Sequence, residues 1–132
     1  MSDEKIVVDD TDSLYRRLVA FYIDSNGKVS SSAYKNRQKK PDPQPSVDLA
    51  RLTTPDKSLS YGGNSGLGVG ELPAKVPLDI GFNVQHEPDM QNGNFAHCVI
   101  LGAHTKETCR LLADATKVIL PPPQRTSLQF DA

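Results

Sequence analysis

At 132 residues the chain has the length of one domain with tails. Charged residues make up 23% and hydrophobic residues 37%, which excludes a wholly disordered polyelectrolyte and leaves enough apolar side chains for one core. No apolar run approaches the roughly 20 residues that span a bilayer, and the acidic N-terminus is not a secretory leader, so the chain reads as cytoplasmic with no membrane partner.

The net charge of −1 conceals a strong segregation. Residues 1–12 set Asp3, Glu4, Asp9, Asp10 and Asp12 against Lys5, for a local charge of −4. Residues 13–40 set Arg16, Arg17, Lys28, Lys35, Arg37, Lys39 and Lys40 against Asp24, for +6. A basic quarter in a near-neutral protein is a candidate anion-binding face. Residues 1–11 are expected to be a flexible acidic terminus, with Ile6-Val7-Val8 able to add a short edge strand.

Thr11 or Asp12 then has the chemistry of an N-cap, and Leu14, Leu18, Phe21 and Tyr22 share one stripe at helical spacing. This predicts a helix over 12–22, closed by the turn sequence Asp24-Ser25-Asn26-Gly27. Residues 35–46 are polar, then basic, then alternately proline, and read as an exposed loop. Ser46–Leu52 alternates apolar and polar like a half-buried strand. Thr54 and Pro55 begin a short helix ending by Tyr61. The glycine run to Gly70 reads as a surface loop; Gly66-Leu67-Gly68-Val69-Gly70 lacks the Lys-Ser/Thr of a phosphate loop.

Strands are expected at Val69–Leu72, Ile80–His86 and Phe95–Leu101, the last apolar on both faces apart from His97 and therefore central in its sheet. Thr105 caps a helix over Lys106–Ala115, and Lys117–Leu120 is a final short strand. Pro121-Pro122-Pro123 ends the domain, leaving 121–132 as a flexible tail. The fold class is α+β: a small, mainly antiparallel sheet with two packing helices, at 12–22 and 105–116, in one domain spanning 12–120.

Two histidines stand out. His86 ends Phe82-Asn83-Val84-Gln85-His86, His97 lies in the next strand, and Asn92-Gly93 between them is a strong hairpin signal. Folded about that dipeptide, the two imidazoles would share a sheet face with β-carbons roughly 4.5–8 Å apart, and a one-residue slip would separate them. Such a pair can divide acid and base roles, as in metal-independent ribonucleases, provide half a metal site, or be two core residues with polar edges. Glu87, Asp89 and His104 would be needed to complete a metal set, but no pair has diagnostic spacing, so neither metal nor cofactor is expected. Cys98 and Cys109 have no Cys-x-x-Cys neighbour and no small disulfide framework around them. Ser30, Ser31, Ser32 and Ser46 lie outside any Gly-x-Ser-x-Gly elbow, which sets serine hydrolysis aside.

Tyr34, Lys35, Arg37, Lys39 and Lys40 combine cations with one aromatic, a mixture that binds phosphates and stacks on a base. Arg16, Arg17 and Arg51 join this set if the fold gathers them on the same side. The leading reading is a binding module whose basic face contacts nucleic acid or an acidic protein partner. The alternatives are a ribonuclease-like enzyme using His86 and His97, and a partner-dependent accessory protein.

Val29-Ser30-Ser31-Ser32-Ala33-Tyr34-Lys35, Ser46-Val47-Asp48-Leu49-Ala50 and Ala96-His97-Cys98-Val99-Ile100-Leu101-Gly102, with Leu14–Arg17 and Gly68–Leu72, resemble a group of small bacterial proteins over roughly residues 14–120. The resemblance implies a compact bacterial domain and carries over no activity or functional residue.

Overall fold

A computed structural model describes residues 6–35, 45–61 and 66–123. Six strands form one antiparallel sheet: β1 (Ser13–Val19), β2 (Ser46–Leu49), β3 (Leu67–Pro73), β4 (Asn83–His86), β5 (His97–Leu101) and β6 (Lys117–Leu120). Their spatial order is β4-β5-β2-β1-β3-β6. Three helices accompany them: α1 (Pro55–Tyr61), α2 (Lys75–Asp79) and α3 (Lys106–Ala115). The α+β class is therefore as the sequence indicates. No helix among the described residues is long and apolar enough to cross a membrane.

The first expected helix is instead strand β1, followed by a 3-10 turn at Ala20–Tyr22. Burial alternates along the strand: Leu14, Arg16 and Leu18 point into the core, while Tyr15 and Arg17 face the other way. A period of 2 was hidden because its middle inward residue is an arginine. Phe21, part of the supposed helical stripe, is 81% exposed. Asp12 caps no helix; its carboxylate accepts from Arg51 and from the Asp9 amide.

The glycine run is not a surface loop up to Gly70. Its C-terminal half is strand β3, and Gly68 packs so closely under β6 that a β-carbon there would collide with the Leu120 carbonyl and the Pro122 ring. Alternation puts Leu14, Leu18, Val47, Leu49, Leu72, Val84, Cys98 and Ile100 on one face, where they pack with Cys109, Leu112 and Ala113 of α3 and with Tyr34. That face is the core. The opposite face carries Tyr15, Arg17, Ser46, Asp48, Gln85, His97 and Glu71, and α1 packs on part of it. Val7 adds a single antiparallel bridge to Gln85 at the β4 edge.

Helix α3 begins as its sequence dictates. Thr105 accepts from the Thr108 amide, and the Thr108 hydroxyl accepts in return from the Thr105 amide, so two first-turn donors are satisfied.

Candidate functional site

The hairpin of β4 and β5 forms, but not about a two-residue turn. Residues 90–93 make a four-residue loop, with a 3-10 turn at Met90–Asn92 and Gly93 at φ 70°, closed by the Asp89–Asn94 bridge. Continued in register from that bridge, the ladder would set His86 directly against His97. One residue of slippage intervenes, and His86 pairs with Cys98. The two imidazoles therefore stand on opposite faces of the sheet. His86 is buried on the core face, with Nε2 2.7 Å from the Phe95 carbonyl and its ring edge-on to Phe95. His97 is half-buried on the open face. The structure thus brings no histidine pair together for acid–base work or shared metal ligation.

The cationic set divides in a similar way. Arg16 is buried and donates through Nε (2.9 Å) and Nη2 (2.7 Å) to the Ala33 carbonyl and through Nη1 (2.7 Å) to the Ser46 carbonyl. Its guanidinium also lies 5.7 Å from the centre of the Tyr34 ring. Tyr34 is fully buried, its hydroxyl 2.8 Å from that of Thr116, so no base can stack on it. Burial is also the main cause that holds the Tyr34 phenol above its usual range. Arg17 donates through Nη1 to Asp48 (2.7 Å) and to the Ser58 carbonyl (3.0 Å). Arg51 is bonded to Asp12 (2.7 Å) and to the Val7 carbonyl (2.9 Å). Lys35 is exposed at the end of the 3-10 turn Ser31–Tyr34. Arg37, Lys39 and Lys40 lie outside the described residues.

One arrangement was not foreseen. Arg16 joins the two ends of the basic segment, because its carbonyl partners are Ala33 before it and Ser46 after it. The same ends are held again by the Cys109 thiol donating to the Tyr34 carbonyl (3.3 Å) and the Ile100 amide donating to the Pro45 carbonyl (3.1 Å). Arg16, which reads as part of an anion-binding face, is instead a buried clamp between two backbone carbonyls.

A polar cluster occupies the open face beside that clamp. Asp48 is fully buried; it accepts from Arg17 and from the Ser58 hydroxyl on one oxygen and from the Asn94 amide (2.8 Å) on the other. Asp48 is the register partner of His97, and Ser46 is two residues along the same strand. His97 uses both nitrogens: Nδ1 is 2.7 Å from the Glu87 carbonyl and Nε2 is 3.2 Å from Ser46 Oγ. A carbonyl only accepts, so Nδ1 carries a proton, and in the neutral imidazole the Nε2 lone pair faces the serine hydroxyl. The partners come from three separate stretches of chain, and no local motif could have announced them.

Cys98 and Cys109 are both buried and unpaired. Burial, then the nearby Asp48 charge, pushes the Cys98 thiol up to about 12, and burial raises Cys109 as well. Burial in the thiol form makes each a poor nucleophile. Among the described residues no three His, Cys, Asp or Glu side chains converge as a metal site. No family model matches the chain, and neither the curated proteins nor the solved structures contain a match to it.

Proposed function

We propose that the protein is a cytoplasmic binding module that contacts a polyanion, foremost the phosphate backbone of single-stranded RNA, through Lys35, Arg37, Lys39 and Lys40. The observation that carries this reading is the Arg16 clamp, which ties the two ends of the most basic stretch of the chain to the core face of a central strand of the sheet. The contact set is narrower than composition suggests. Arg16, Arg17 and Arg51 spend their guanidinium groups on carbonyls and carboxylates within the fold. With Tyr34 buried, recognition is by charge alone, so affinity should vary little with base sequence.

The test is anisotropy of a labelled single-stranded RNA with the wild type and the double variant Lys39→Glu, Lys40→Glu. The reversal cancels the charge of the four-residue set, and the expected result is at least a tenfold loss of affinity. Equal affinity for the two proteins would overturn the proposal. Displacement of the RNA by an acidic polypeptide at lower concentration than by unlabelled RNA would reassign the partner to an acidic protein.

A further inference from the structure

From the Ser46–His97 geometry we infer a second activity, independent of the basic segment: Ser46 is a nucleophile, His97 its general base, and the substrate class is a carboxylic ester. An activated serine needs a base within hydrogen-bond reach and a third group that fixes the base in the right tautomer. Both are present. The 3.2 Å contact supplies the first, and the Glu87 carbonyl at 2.7 Å supplies the second, in the position a carboxylate takes in other hydrolases. Glu87 is itself fixed, because its amide donates to the His97 carbonyl (2.9 Å), so base and orienting group are locked to each other. Both side chains are half-buried on the open face rather than sealed in the core. Arg17, held by Asp48 through Nη1 and still 21% exposed, adds a cation bonded to the register partner of His97.

The chemistry is ordinary acyl transfer with water. The Ser46 hydroxyl proton passes to His97 Nε2 as Oγ bonds to the ester carbon. The bond from that carbon to the alkoxy oxygen breaks, and the alcohol leaves with the proton from Nε2. Water then attacks the acyl-serine, gives a proton to Nε2, and the acid departs as Oγ regains that proton.

The experiment is reaction of the full chain, without RNA, with a fluorophosphonate probe, read by intact mass and peptide mapping. Phosphonylation releases fluoride and should place one adduct on Ser46 and none on Ser30, Ser31 or Ser32. Ser46→Ala should abolish it. His97→Gln, which keeps a donor toward the Glu87 carbonyl but removes the base, should slow it at least tenfold. Labelling of the wild type should also disappear in urea, a control that does not depend on any variant folding. No adduct on Ser46 in the folded wild type, or labelling that persists equally in urea or in folded His97→Gln, would overturn the inference. Neither result bears on RNA binding.

Discussion

An arginine on the core face of a strand is tolerated only where its donors meet acceptors, because a buried unpaired charge costs several kcal/mol. Arg16 meets the requirement with two backbone carbonyls and the face of Tyr34. Arg16→Ala leaves those carbonyls without their donor, and urea denaturation should show a loss of about 2–4 kcal/mol. An unchanged midpoint and slope would mean that the clamp is not structural. His104 makes the complementary case of a group held neutral. It is half-buried against Phe82, Nε2 donates to the Ile100 carbonyl (2.9 Å), and buried Nδ1 has no partner among the described residues. Burial, the largest cause, lowers its pKa from the usual imidazole value of about 6.5. A lowered value means that the unfolded chain binds the proton first. Stability should be fully present above about pH 6.5 and decline as pH falls from there toward the folded-state value. His104→Gln should flatten that part of a stability-versus-pH curve; an identical curve would remove His104 as its cause.

Among the elements, helix α3 and strands β5 and β6 were legible because their signals are local: a Thr cap, an unbroken apolar run, and a strand bounded by prolines. Strand β1 was not legible. Its inward Arg16 imitates a solvent-facing residue, and Leu14 and Leu18, four residues apart, fit a helical stripe as well as one face of a strand. Helix α2, lying between Pro73 and the exposed Gly81, was missed because its buried Pro77 reads as a breaker. The site fared worse than the fold. A hairpin was readable, but its register hangs on one residue of slippage between Asn94 and Cys98, and that residue decides which face His86 takes. The Ser46–His97 contact depends on strand order, which no sequence window contains. The third strand yields a direct test. Gly68 allows β6 and the following proline to approach β3, so Gly68→Ala should raise hydrogen exchange at the Val118–Leu120 amides well before the β1–β2 ladder is affected. Unaltered exchange in β6 would mean that the close approach is not needed for pairing.

Across the whole molecule, the uneven charge along the chain acquires a structural logic. The described cations of residues 13–40 fall into two populations. Arg16 and Arg17 are consumed in holding β1 to its neighbours, while Lys35 stays exposed where the clamped segment departs. On the other side Asp12 is spent on Arg51, so the acidic N-terminal stretch is partly neutralised within the fold. On the proposed function a partner meets a short cationic stretch, and the expected signature is the release of counterions rather than shape-selective recognition. The most direct measurement is therefore the affinity of the wild type for a single-stranded RNA as a function of salt. Four phosphate contacts predict a slope of about −3 in log K against log salt, and the Lys39→Glu, Lys40→Glu variant should lose most of it. A slope near zero, or the same slope in both proteins, would contradict the assignment of binding to residues 35–40.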